Sequence, residues 1–122
     1  PMADHLNLIL GSLEGPPSTP YSGGLFHFII YIPERYPNAP PKFMATTKIY
    51  HPNISPTGEI CIDIVNERWT PVWNLQTILV AISSILDDPG LDDPLVPEVA
   101  EMYLRDRSTY DENARLYTQR YA

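Results

Sequence analysis

The sequence predicts an α+β domain in which an antiparallel meander of short strands is followed by helices. Segments in which apolar and polar side chains alternate occupy the chain before Thr47, whereas helical spacing of apolar residues begins only after Asn74. Strands first and helices afterwards are typical of the α+β class. A chain of 122 residues fits a single domain, so we assign residues 1–122 to one unit.

Three short strands are predicted before Thr47. Alternation covers residues 6–13 and 26–32, and a third strand follows Pro41 with Phe43 and Ala45 on one face. The connection between the first two strands is rich in proline and glycine. It is too long for a two-residue hairpin but suits a longer link between antiparallel strands. The face predicted to point inward on the second strand consists of Phe26, Phe28, Ile30 and Ile32.

Three helices are predicted after a long irregular segment. Neither periodicity is present between Thr47 and Asn74, and long irregular segments are usually functional. Asn74 is a good N-cap for the first helix, Pro97 suits the first turn of a second helix that ends near Arg107, and a third helix follows. The apolar stripe of the first helix is Leu75, Ile78, Leu79, Ile82, Ile85 and Leu86, and that of the last is Tyr110, Ala114, Tyr117 and Tyr121.

Composition excludes several classes of partner. There are 8 Lys and Arg against 15 Asp and Glu, a net charge of −7, whereas nucleic-acid binding needs clustered basic residues. No apolar run approaches the roughly 18 residues that span a bilayer. We therefore expect neither a nucleic-acid nor a membrane partner. The single Cys cannot form an internal disulfide, which favours a reducing compartment, the cytoplasm or the nucleus.

Cys61 lies in the irregular segment, downstream of a His51-Pro52-Asn53 triplet. A lone Cys is most often a small buried apolar residue without chemistry. Here, however, the run Y-H-P-N-I-S-P-T-G-E-I-C-I-D-I-V resembles the active-site signature of ubiquitin-conjugating enzymes. The resemblance extends from about Leu8 to Ala122. Further matching motifs are Tyr21-Ser-Gly-Gly, Tyr36-Pro-x-x-Pro-Pro, Trp69-Thr-Pro and Asp92-Asp-Pro-Leu-Val-Pro.

The resemblance implies the UBC fold and a transferase reaction. A family member accepts ubiquitin from the activating enzyme as a cysteine thioester and transfers it to a substrate lysine or to a ligase cysteine. Relative to the family, this catalytic core is truncated at its N-terminus, without the first helix and first strand. Two alternatives remain: transfer of another ubiquitin-like modifier, and a poorly charged, truncated ubiquitin-binding module.

The motif match assigns a role to each active-site residue. Cys61 is the nucleophile, and no His, Lys or Arg lies close in sequence to lower its pKa, which suits thioester exchange rather than a Cys-His protease. Asn53 either donates to the oxyanion that forms during lysine attack or caps its own turn. Asp93 faces the incoming lysine and can orient its amine. His51, Pro52 and Asp63 shape the active-site loop, and neither a metal nor another cofactor is expected.

Partner surfaces follow from the resemblance as well. The expected partners are ubiquitin, the activating enzyme, protein substrates and ligases, with Val80 on the first helix at the donor-ubiquitin contact. Asn38 stands where many family members place an aromatic residue, so RING-type ligases are favoured over HECT-type ligases. Without the family's first strand, either residues 1–7 fold back over the edge near Leu8 and Leu10 or two molecules pair there, and we favour non-native self-association. The two expected ligase-binding loops contain Pro37, Asn38 and Ala39, and Thr70, Pro71 and Val72.

Overall fold

The computed structural model describes residues 7–35, 42–60 and 75–122. Within these residues the chain forms strands β1 (Asn7–Glu14), β2 (Leu25–Ile32) and β3 (Lys42–Ala45), then helices α1 (Leu75–Asp87), α2 (Pro97–Arg105) and α3 (Arg107–Tyr121). This order confirms the predicted α+β class. None of the described helices combines the length and apolar character needed to cross a bilayer.

The strands form an antiparallel sheet in the order β1-β2-β3 within the described residues. Leu10 pairs with Ile29, and Phe28 pairs with Ala45, so β2 is the central strand. The inward alternation predicted for β2 is confirmed, because Phe26, Phe28 and Ile30 are buried and Ile32 packs against them.

Helix α1 and the sheet contribute to the same core. Ile82, Ile85 and Leu86, three residues of the predicted stripe, are buried, and Leu79 packs against the core from its edge. The spacing of three and four residues along α1 places these side chains on one face. Leu75 and Ile78 have side chains that lie outside the described part of the chain.

The buried stripe of α3 differs from the prediction after its first two residues. Tyr110 and Ala114 are buried, but the next buried position is Thr118, whereas Tyr117 and Tyr121 stay about 40% exposed. Thr118 satisfies its hydroxyl by donating to the Ala114 carbonyl at 2.8 Å, which lets a polar residue occupy an inward position.

The boundary between α2 and α3 is set by one aspartate. Asp106 follows the last residue of α2 and caps α3, accepting from the Thr109 N–H at 3.2 Å and from the Thr109 hydroxyl at 2.6 Å. These bonds to Thr109 lower the pKa of the Asp106 carboxyl. The second helix therefore ends at Arg105, slightly earlier than predicted, because the cap begins a new helix there.

Candidate active site

His51 is buried in the stretch that follows β3, and both of its ring nitrogens are hydrogen-bonded. The ring is 1% exposed. Nε2 lies 2.8 Å from the Ile85 carbonyl, an acceptor, and Nδ1 accepts the Asn53 N–H at 3.0 Å. This network assigns the neutral tautomer with its proton on Nε2. Burial lowers the pKa of His51 from 6.5 to about 4, and the bond to Ile85 opposes that shift. The ring is thus a neutral link between the segment and α1.

Asn53 uses its side-chain amide to hold a loop that is distant in sequence. Oδ1 accepts the Gly90 N–H at 2.8 Å, and Nδ2 donates to the Gly90 carbonyl at 2.8 Å. The partner lies 37 positions away, so these bonds do not cap the turn of Asn53 itself. One Nδ2 hydrogen is committed to Gly90, and a primary amide carries a second. Asn53 is 1% exposed, so its bonds to Gly90 form away from water.

The loop between α1 and α2 is tied to the same segment at a second point. The Val96 N–H donates to the Pro52 carbonyl at 3.0 Å, immediately before α2 begins at Pro97. Together with the Asn53–Gly90 pair, this bond fixes both sides of the stretch that contains Asp93. Asp93 is exposed, and the other acidic side chains nearby, Asp87, Asp88 and Asp92, are exposed as well.

A tight turn follows the segment and reverses the chain. The Ser55 N–H donates to the Glu59 carbonyl at 2.8 Å, and the Ser55 hydroxyl accepts the Glu59 N–H at 3.0 Å. Gly58 has φ +97°, and a Cβ there would lie 2.1 Å from the Ala45 carbonyl oxygen. Only glycine avoids that clash, and its own carbonyl accepts the Ala45 N–H at 2.8 Å. The turn is thereby attached to the end of β3.

After this turn the chain returns beside its own beginning. Ile54 and Ile60 form an antiparallel bridge, and both are buried in the core. Ile60 is the residue before Cys61 in the sequence. The turn therefore directs the chain from the His51–Asn53 stretch into the segment that begins with the cysteine.

The comparisons with known proteins fit this geometry. The family model "Ubiquitin-conjugating enzyme" matches residues 1–118. The chain belongs to the ubiquitin-conjugating enzyme family. A structure of a candidate ubiquitin-conjugating enzyme from Plasmodium yoelii is 38% identical, with a TM-score of 0.89 over 98% of this chain and 84% of that one. The E2 domain of a Toxoplasma gondii ubiquitin-conjugating enzyme is 43% identical, with a TM-score of 0.88 over 93% and 79%.

Of the site residues predicted for this ubiquitin-conjugating enzyme, the structure brings His51, Pro52 and Asn53 together with the loop that contains Asp93. Val80 lies on α1 and is 61% exposed. Among the described residues, no three His, Asp or Glu side chains are grouped so that they could hold a metal ion. The other predicted residues lie outside the described part of the chain: Cys61, Asp63, Pro37, Asn38, Ala39, Thr70, Pro71 and Val72.

Sequence reasoning missed three contributors to the site of this ubiquitin-conjugating enzyme: Gly90, Val96 and Tyr21. Gly90 and Val96 act through backbone groups, which leave no pattern in the side chains. In the sequence Tyr21 stands out only as part of a motif, whereas in the structure its hydroxyl donates to the Tyr50 carbonyl at 2.6 Å. A buried tyrosine normally needs a hydrogen-bond partner, which is the one signal that could have directed attention to it.

Proposed function

We propose that this enzyme accepts ubiquitin from the activating enzyme as a thioester on Cys61 and passes it to a substrate lysine or to a ligase cysteine. Membership of the ubiquitin-conjugating family supports ubiquitin, an activating enzyme and ligases as its partners. The observation that carries the proposal is the attachment of the His51–Asn53 stretch, which precedes Cys61 in the chain by seven intervening residues, to the loop that contains Gly90 and Val96.

Charging is an exchange of thioesters. The Cys61 thiolate attacks the carbonyl carbon of the ubiquitin C-terminal glycine, the new C–S bond forms, and the activating enzyme's thiolate leaves and takes up a proton. The exchange is nearly balanced in energy because one thioester replaces another. Strong activation of Cys61 is therefore unnecessary, which fits the acidic residues Glu59 and Asp63 that flank it in sequence.

Transfer to lysine is the second step. A neutral amine attacks the thioester carbon, and an oxyanion forms. The oxyanion then collapses to the amide as the C–S bond breaks. Cys61 departs as a thiolate, and the proton that the amine loses passes to the solvent. The Asp93 carboxylate, exposed on its loop, orients the amine and favours proton loss as the lysine is desolvated. Asn53 supports this step by holding that loop through Gly90, and its remaining Nδ2 hydrogen is the candidate oxyanion donor.

The residues of the two predicted ligase loops are the basis for a proposed choice of ligase. Asn38 offers little apolar area to a ligase groove, so we favour RING-type over HECT-type ligases. Val80 is a solvent-facing apolar residue on α1, and its exposure supports a contact with the donor ubiquitin. We place the reaction in the cytoplasm or the nucleus, where the single cysteine stays reduced.

Charging assays test the proposal. With activating enzyme, ubiquitin and ATP, the parent chain should form an adduct that a thiol reductant removes before gel electrophoresis. Cys61→Ala should form none, and Cys61→Ser should form a thiol-resistant ester. The proposal fails if the parent forms no reductant-sensitive adduct, or if the Ala variant still forms one.

A further inference from the structure

Two buried tyrosine hydroxyls form a relay that ends on the backbone of the active-site segment, residues 50–54. The Tyr21 hydroxyl lies 2.6 Å from the Tyr50 carbonyl oxygen and 2.6 Å from the Tyr110 hydroxyl. Tyr21 and Tyr110 are 1% and 2% exposed. A carbonyl only accepts, so the single Tyr21 hydrogen goes to Tyr50. The Tyr110 hydroxyl must then donate to Tyr21, which gives an ordered chain of donors from α3 to the segment.

The relay joins three parts of the fold. Tyr21 lies in the connection between β1 and β2, Tyr110 lies on α3, and Tyr50 is the residue before His51. The aromatic rings reinforce the arrangement. The Tyr50 ring lies 5.5 Å from the Tyr110 ring, and the Tyr21 ring lies 5.9 Å from the His51 ring, measured between centroids. Hydrogen bonds in such chains polarise and strengthen one another.

The relay supports the segment from a different direction than the hydrogen bonds that hold residues 51–53. Through Ile85, Gly90 and Val96, the stretch from His51 to Asn53 is bonded to α1 and to the loop that leads to α2. Tyr21, by contrast, reaches the segment from the β1–β2 connection. Without this hydroxyl, the Tyr50 carbonyl loses its bond to Tyr21. Among the described residues, the hydrogen bonds that then remain between residues 50–53 and other elements come from α1, from the loop before α2 and from Asn113 on α3.

We propose that Tyr21 and Tyr110 are positioning residues for transfer to lysine: their hydroxyl relay fixes the Tyr50 carbonyl and so aligns Asn53 with Gly90. This inference rests on the proposed function for its kinetic consequence, but the alignment itself is a property of the fold. Burial raises the pKa of both hydroxyls above the ordinary tyrosine value. Both therefore stay protonated, and so remain hydrogen-bond donors, at the pH of the reaction.

Three phenylalanine variants test the relay. Tyr21→Phe removes the donor to Tyr50, and Tyr110→Phe removes only the second donor. Tyr103→Phe is the matched control, because its ring contacts Tyr110 edge-on at 4.9 Å between centroids while its hydroxyl takes no part in the relay. Each variant is measured by the nitrogen-15 NMR resonances of the Asn53 side-chain amide. Charged enzyme is then discharged over a range of free lysine concentrations.

The expected pattern separates positioning from general stability. Tyr21→Phe should move the Asn53 amide resonances and lower the maximal discharge rate about tenfold, while the lysine concentration for half-maximal rate stays the same. Tyr110→Phe should shift both readouts in the same direction by less. Tyr103→Phe should change neither. Should Tyr21→Phe not fold, Tyr110→Phe still tests the relay, because it preserves the bond to Tyr50.

Two results would overturn the inference. One is an unchanged Asn53 amide in both relay variants, and the other is a discharge rate that falls equally in the Tyr103 control. The NMR measurement needs no ubiquitin. A chain that cannot be charged but whose Asn53 resonances respond to Tyr21→Phe would refute the proposed function and leave the relay intact.

Discussion

The active-site segment, residues 50–54, and strand β1 both border the core, but they treat their backbone groups in opposite ways. In the segment, Tyr50, His51, Pro52 and Asn53 each bond to a different partner elsewhere in the chain. In β1, one side of the backbone pairs with β2, and no strand of the described residues lies on the other side. Secondary structure therefore does not measure how firmly a stretch is held: the irregular one is fixed by more elements than the strand.

The difference has a physical cause. An irregular segment has no ladder of its own, so each buried polar group must find a separate partner or lose about 1–3 kcal/mol. Because these partners lie on different elements, together they fix the position of the segment. A strand at the edge of a sheet pairs about half of its backbone groups with one neighbour, and the other half point away from the sheet. Predictions for the two regions differ accordingly.

Asn53→Ala should have the largest effect. It removes the clamp on Gly90 together with the candidate oxyanion donor, so transfer to free lysine should slow by about one to three orders of magnitude while charging stays nearly intact. Single-turnover charging and discharge, measured separately, check this. If charging fell as far as discharge, Asn53 would serve the fold of the site as a whole rather than the lysine step.

His51 should make folding stability depend on pH. Its pKa is about 4 in the folded chain and 6.5 as the unperturbed value, so between these values the unfolded chain binds more protons. The free energy of unfolding should therefore fall as the pH falls through this window, by about 3 kcal/mol in all, and level off below it.

Urea unfolding at a series of pH values measures that dependence. His51→Phe removes the titrating ring and its two hydrogen bonds, so this variant should be less stable at neutral pH but show a smaller slope between pH 4 and 6.5. Equal slopes in the parent and the variant would assign the acid sensitivity to other groups.

The sequence was sufficient where side chains alone carry the signal. Alternation in β2 and the spacing in α1 predicted their buried faces because burial acts on side-chain periodicity. The same reasoning predicted Tyr117 and Tyr121 rather than Thr118 as inward positions of α3. A buried threonine that donates to its own helix cannot be told from an exposed threonine by residue type alone. The link from Asn53 to Gly90 was out of reach for a related reason. The partners of the Asn53 amide are the backbone N–H and carbonyl of Gly90, and almost every residue has these groups.

Strand β1 provides the smallest and most local prediction. The Gly15 N–H donates to the Gly24 carbonyl at 2.9 Å, and the two residues continue the β1–β2 register. Since antiparallel bonding alternates along a strand, Leu8 and Leu10 direct their backbone groups away from β2. Their side chains are 53% and 81% exposed, which adds apolar area to an edge that no other strand of the described residues covers.

We therefore expect weak self-association through β1, and Leu10→Lys should abolish it. A lysine at an edge position opposes pairing with a second chain, while the exposure of Leu10 means that folding stability should change by less than about 0.5 kcal/mol.

Leu104→Lys is the matched control, since Leu104 is 70% exposed on α2 and receives the same change in charge. Sedimentation velocity over a concentration series should show association for the parent and the Leu104 variant only. A parent that stays monomeric throughout would mean that this edge is already protected in solution, and loss of association in both variants would trace it to net charge rather than to β1.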